Sequence, residues 1–176
     1  MIENELLFLG LLKDGPKHGY EIKRLIEEDF SRFVGLSIKS IYYPLKKMEQ
    51  LGLINKEQDR SGNYPEKHVY SLTPKGEEIF EHLITESFLS IKRPYFDIDL
   101  SLYFLQYVDR AIARRQLRGR MLFLKKIIRQ IEGVRAETDP AKKHLHIILE
   151  HNLDLVAAEL KSVQKLVGIL DGPEQL

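Results

Sequence analysis

The chain has 176 residues, 43% of them hydrophobic and 30% charged, which is too apolar for disorder and enough for one large domain or two small ones. Its formal net charge of +1 leaves total charge silent about partners. With no cysteine, disulfides, thiolate nucleophiles and zinc–thiolate sites are excluded.

In chain order, Ile2, Leu6, Leu7, Leu9 and Leu12 predict a first helix stopped by Asp14-Gly15-Pro16. It is apolar on nearly every side and belongs in a core. Two early glutamates and the lack of a basic lead-in argue against a signal peptide, and no apolar run approaches a membrane span. A cytoplasmic protein is therefore expected. A second helix is predicted over 18–30, with Ile22, Leu25, Ile26 and Phe30 inward.

A third helix is predicted over 37–50. Ser37 is its expected N-cap, its inner stripe is Ile38, Ile41, Leu45 and Met48, and Gly52 is its stop. Pro44 inside it should free the Ser40 carbonyl and bend the helix. Two short strands follow, over 53–60 and 67–72, around a turn at Ser61-Gly62-Asn63. Thr73-Pro74 then opens a fourth helix. A helix followed by a two-stranded ribbon is the pattern of a winged helix, whose helix fits the major groove of DNA while the hairpin reaches the flanking backbone. Between 32 and 67 there are seven bases against four acids, a modest excess in the right place for phosphates.

Pro94 marks the expected domain boundary, dividing a winged helix-turn-helix over 1–93 from a helical part over 94–176. In that second half a short helix is predicted over 98–107, and Asp109 caps a long helix over 110–135. Thr138-Asp139-Pro140 then restarts a last helix. Leu149, Leu153, Val156, Leu160, Val163, Val167 and Leu170 alternate at spacings of four and three, which keeps one seam facing a partner helix. The first six are the expected dimerisation residues. Phe123, Ile127, Val134, Leu145, Ile148, Leu155 and Leu166 lie off the seams, and a second copy is the economical cover for them. The fold class expected is mainly α with a small β wing.

The candidate DNA-binding residues follow from these elements. Lys39, Ser40, Tyr43, Lys46 and Lys47 turn away from the inner stripe, and Ser37 begins the helix expected in the groove. Lys39, Ser40 and Tyr43 would reach base edges while Lys46 and Lys47 hold phosphates, although a solvated helix face would look the same. Tyr42 lies at the edge of the buried face and could pack inward with its hydroxyl on a phosphate. Tyr20 and Lys23 lie near the start of the second helix, where free backbone N–H groups attract phosphate; Tyr20 could equally pack between helices. In the wing, Arg60, Asn63, Lys67 and His68 would track the backbone or minor groove.

A second basic run (Arg110, Arg114, Arg115, Arg118, Arg120, Lys125, Lys126, Arg129) contains no acid. It could meet DNA or an anionic effector, but such a run more often pairs across a dimer with acids such as Glu150, Asp154 and Glu159. His144, His146 and His151 lack the carboxylate–histidine spacing of a metal site. There is no Gly-rich phosphate loop, no G-x-S-x-G and no H-E-x-x-H, so neither an enzyme nor a cofactor is expected.

Four pieces in this order carry a family resemblance: HGYEI, LSIKSIYYPLKKMEQLGLI, YPEK with VYSLTPKG, and a helical second half. Together they resemble the PadR family of bacterial transcriptional regulators, in particular the longer subgroup that includes the phenolic acid decarboxylase repressors. The wing has Tyr64-Pro65-Glu66-Lys67 where that family often has an Arg-Pro-x-Arg-like stretch. Lys39 stands where a glycine is common.

The resemblance implies a homodimer on palindromic operator DNA, acting as a repressor released by a small aromatic effector. The expected effector cavity lies between the winged helix and the C-terminal helices, lined by Tyr95, Phe96, Tyr103 and Phe104, which could equally be core. The competing reading is a winged-helix protein–protein interaction module without sequence-specific DNA binding.

Overall fold

The computed structural model describes residues 2–35, 38, 40–59, 67–90 and 97–172. The backbone separates into two compact units, Met1–Lys92 and Arg93–Leu176.

In the first unit, helix α1 (Ile2–Lys13) is the central rod, with Phe8 and Leu9 wholly enclosed and Leu7, Leu11 and Leu12 buried beside them. Strand β1 (Lys17–His18) leads into α2 (Gly19–Leu25), and Glu21 explains the HGYE sequence: its carboxylate accepts from the His18 backbone N–H at 2.7 Å, satisfying a donor at the helix start. The same rod continues through a π-helical turn (Ile26–Phe30) into the short α3 (Ser31–Phe33). Ile22 and Ile26 are its buried contributions to the core.

Helix α4 (Tyr42–Gln50) starts later than the apolar spacing predicts, with Ile41 and not Ser37 at the N-cap position. Ser37 itself lies outside the described residues. This later start removes the bend expected at Pro44. The proline is the third helical residue, where its missing N–H has no intrahelical partner to lose, and the ladder begins with Leu45 N–H donating to Ile41 O at 3.2 Å. Ile41, Leu45 and Met48 are buried as the stripe predicts.

The helix ends on Gly52 at φ 70°, with Gly52 N–H bonded to Glu49 O and Leu53 N–H to Met48 O, both at 2.9 Å, a Schellman closure. Lys75 Nζ donates to Leu51 O at 2.9 Å, adding a cation at the negative end of α4.

Strands β2 (Ile54–Asp59) and β3 (Lys67–Leu72) pair antiparallel from Ile54↔Leu72 to Asp59↔Lys67. Strand β1 pairs with the other edge of β3, so the order is β1-β3-β2. Helix α5 (Pro74–Ser87) is capped by Thr73, whose Oγ1 accepts from Gly76 N–H at 3.0 Å, and Pro74 takes the first turn.

In the second unit, α6 (Asp97–Tyr103) and a 3₁₀ turn (Leu105–Tyr107) precede the long α7 (Arg110–Glu137). Asp109 caps α7 by accepting from the N–H groups of Ala111 and Ile112. Helix α8 (Lys143–Asp171) begins after a turn in which Asp139 Oδ1 accepts from Ala141 N–H. Thr138 ends α7, its hydroxyl on Val134 O at 2.7 Å, rather than starting α8.

The four-three seam is used inside the chain. Val163, Val167 and Leu170 pack with Ala113, Leu117 and Leu124 of α7, with Val156 and Leu160 against them. Leu149 is fully buried and Leu153 half-buried. Of the six residues expected at a contact between subunits, Val156, Leu160, Val163 and Val167 therefore serve the hairpin core of their own chain. Large apolar residues left exposed are Ile112, Leu122 (68%) and Phe123 (70%) on α7, with Ile127 beside the last two, and Ile147, Leu155 and Ile169 on α8.

Candidate nucleic-acid interface

Burying Ile41, Leu45 and Met48 forces the other face of α4 outward. Tyr43 is 75% exposed, and Ser40, Lys46 and Gln50 are exposed with it. Tyr43, Lys46 and Gln50 stand three and four residues apart, one row along the helix. An aromatic hydroxyl, an ammonium and a carboxamide in a row are groups that hydrogen-bond base edges and phosphates. Gln50 was absent from the residues singled out by sequence, although its seven-residue spacing from Tyr43 was the available signal. Lys39 lies outside the described residues.

Two expectations on this helix change. Tyr42 is 70% exposed and does not pack into the core, because the inner stripe already fills that side. Lys47 is drawn away from the outer row: its Nζ sits 3.0 Å from Glu5 Oε1 on α1, in a partly buried pair. A lysine held that way ties α4 to the central rod and is poorly placed to serve a phosphate.

Tyr20 is exposed and stacked on His18, ring centroids 5.4 Å apart, so it is not a wedge between helices. Lys23 forms a solvent-exposed pair with Glu27 at 3.7 Å, weak enough for a phosphate to displace. In the wing, Lys67 stands opposite Asp59 at the hairpin end of the ladder, and His68 stands opposite Gln58, half-buried. Arg60 and Asn63 lie outside the described residues. Near α4, Tyr70 of β3 is buried. Burial pushes its hydroxyl above the ordinary tyrosine value, and Glu49 and Tyr42 add to the shift.

Half of the second basic run is engaged within its own hairpin. Arg114 and Arg118 hold Asp171 at 3.3 and 2.9 Å, and Arg120 pairs with Glu159. The pairing expected across a dimer is, for Glu159, an intrachain one. Arg110 donates from Nε to Leu170 O at 2.9 Å and from Nη2 to Ile169 O and Gly172 O.

Of the aromatics proposed for an effector, Tyr95 and Phe96 lie outside the described residues. Tyr103 and Phe104 are exposed and meet edge to face at 5.0 Å. A cavity of about 650 Å³ is lined, among the described residues, by Leu102, Tyr103, Leu105, Gln106, Val108, Arg110 and Leu170. Among the described residues no cluster of three or more His, Asp or Glu could hold a metal ion, and no helix is long and apolar enough to cross a membrane.

Residues 8–82 match the profile described as the Transcriptional regulator PadR-like family. The chain is 29% identical over 139 residues to the negative transcriptional regulator PadR of Bacillus subtilis (strain 168), covering 75% of each chain. The crystal structure of Bacillus subtilis PadR in complex with operator DNA is similar at a TM-score of 0.73 and 22% identity, covering 94% of this chain and 98% of that one. The same protein in complex with p-coumaric acid is similar at 0.71 and 20% identity, covering 96% and 98%. Structural likeness at these identities establishes a shared fold.

Proposed function

We propose that this chain, whose residues 8–82 match the PadR-like family of transcriptional regulators, is a repressor that binds a palindromic operator as a homodimer in the cytoplasm. The observation that carries the reading is the exposed Tyr43–Lys46–Gln50 row on a helix held at its far end by a Schellman closure and at its flank by the Lys47–Glu5 pair. Each subunit would lay this row in the major groove, with Lys67 of the wing toward the flanking phosphates and Tyr20 and Lys23 at the backbone nearby. Two half-sites then fall about one helical turn, or a multiple of it, apart.

The dimer surface proposed is the outer side of the hairpin, where Leu122, Phe123 and Ile127 of α7 and Ile147 and Leu155 of α8 are exposed. Exposed apolar side chains of this size are candidates for cover by a second copy. Lys125, Lys126 and Arg129 flank the α7 group, and Glu150 and Asp154 flank the α8 group, so the two sets are complementary in charge across a two-fold axis. The similar PadR has been solved both with operator DNA and with p-coumaric acid. By that likeness, a small aromatic effector releases this regulator by favouring a state in which the recognition helices no longer match the operator.

Selection of bound sequences from a random duplex pool tests the proposal. A palindromic consensus is expected, with affinity falling steeply as salt rises. Tyr43→Ala should relax base choice at one position of each half-site. Retention without base preference would instead support an interaction module and overturn the operator reading.

A further inference from the structure

Two lysines flank the outer row of α4, and the fold treats them differently. Lys46 and Lys47 follow Tyr43 by three and four residues and precede Gln50 by four and three. The helical period therefore sets them at similar angles on either side of the line from Tyr43 to Gln50. Lys46 is exposed and has no ion pair among the described residues. Lys47 is held at 3.0 Å by Glu5 Oε1 of α1, with the two side chains only 35% and 24% exposed.

That pair differs from the others on the DNA-facing unit. Lys23–Glu27 and Arg24–Glu28 lie at 3.7 and 3.9 Å with side chains 60–67% exposed, where water leaves little attraction. Glu5–Lys47 is shorter and less hydrated, and it joins two elements 42 residues apart. Moving Lys47 onto a phosphate leaves a partly buried carboxylate without that counter-charge, which costs more than opening an exposed pair.

We infer that Glu5 is a positioning residue for DNA reading: it withholds the Lys47 charge from the duplex and keeps α4 set against α1. The inference deepens the DNA-binding reading above and rests on it. A phosphate contact strengthens binding to every duplex alike, whereas base contacts need α4 in one pose. Glu5 therefore acts on specificity, holding down affinity for random duplex while supporting affinity for the operator.

Fluorescence anisotropy on the full chain, with a random-sequence duplex and the selected operator duplex as probes, tests this. Glu5→Gln keeps the size of the side chain and removes its charge. The slope of log affinity against log salt should steepen by about one unit on both duplexes. On random duplex the gain at about 50 mM salt should then exceed that at about 200 mM by roughly three- to fourfold. The preference for operator over random duplex should fall. Glu5→Gln combined with Lys47→Ala should return the slope to the wild-type value, because Lys47 itself makes the added contact. Lys47→Ala alone leaves Glu5 in place and decides the matter if Glu5→Gln unfolds: its slope should be that of the wild type.

An unchanged slope or an undiminished operator preference in folded Glu5→Gln overturns the inference, since Glu5 is then only a brace. A steep slope that survives in the double variant also overturns it, because the change then reflects one less negative charge near the duplex. So does the loss of a unit of slope in Lys47→Ala. Base preference of the wild type keeps the two readings apart. Intact preference with any of these results sinks the role of Glu5 alone, and absence of preference sinks the regulator.

Discussion

Gly76→Ala is the most demanding test of the corner that holds the recognition helix. A Cβ built on Gly76 would lie 2.0 Å from the Leu53 carbonyl oxygen, 3.0 Å from its carbon and 3.1 Å from Leu72 Cδ2, where ordinary contact begins at 3.4 Å. The obstacle is backbone, so no side chain can swing aside, and the start of α5 must retreat by more than an ångström. That oxygen accepts from both Thr73 N–H and Thr73 Oγ1 at 3.1 Å, and retreat strains both bonds.

Overpacking of this kind costs roughly 1–3 kcal/mol, and each lost hydrogen bond costs about 1 kcal/mol. Alanine returns about 1 kcal/mol of helix propensity. The net expectation is a loss of about 2–4 kcal/mol. Leu53 follows directly on the left-handed Gly52 that ends α4, so operator affinity should fall as well. The assay is urea unfolding followed by circular dichroism, with Gly119→Ala and Gly133→Ala as controls. A Cβ at either control position meets nothing within 4 Å, and stability should stay level or rise by up to about 1 kcal/mol. Unfolding of Gly76→Ala at the wild-type midpoint would refute the steric reasoning.

Three further outcomes are expected. Lys46→Ala should lower the slope of log affinity against log salt by about one unit, while Lys47→Ala weakens binding at unchanged slope because Glu5 holds that ammonium; equal slope changes would refute the distinction. Leu122→Glu with Phe123→Glu should give folded monomers in analytical ultracentrifugation, whereas Leu149→Glu with Val163→Glu should unfold the hairpin itself; a stable dimer of the first pair would remove that face from the interface. Tyr70 holds its proton in the folded state at a pH where the unfolded chain, titrating near 10, has released it. Its contribution is therefore intact below about pH 10 and is lost as pH climbs through the raised folded value. Tyr70→Phe should make the alkaline decline of stability shallower, and an unaltered decline would exclude Tyr70 as its source.

Most of the winged helix was legible because each element carries its own local signal: the apolar stripe of α4, the left-handed glycine after it, and Thr73-Pro74 before α5. The features that escaped are those decided by tertiary contact. Strand β1 is two residues long, too short for any alternation, and exists because β3 offers a free edge. The π turn over 26–30 has no local marker. The late start of α4 also escaped, because the stripe runs on through Ile38 and Ile41 whether or not the backbone is helical. The outer face of α4 was readable as the complement of its stripe, yet the diversion of Lys47 was not, since Glu5 lies 42 residues away.

The seam of α8 shows where periodicity stops being informative. Spacings of four and three say that one face meets another helix, and they are the same whether that helix belongs to the same chain or to a second copy. Here α7 is the partner: it places Ala113, Leu117 and Leu124 against Val163, Val167 and Leu170, and Arg114, Arg118 and Arg120 meet Asp171 and Glu159 beside the seam. With Val163, Val167 and Leu170 satisfied within the chain, the surface proposed for a second copy lies among apolar residues out of phase with them. Leu122, Phe123 and Ile127 meet that condition on α7, as do Ile147 and Leu155 on α8. Mutations of seam and outer face should therefore fail differently, the first in folding and the second in assembly, and that separation cannot be drawn from spacing alone.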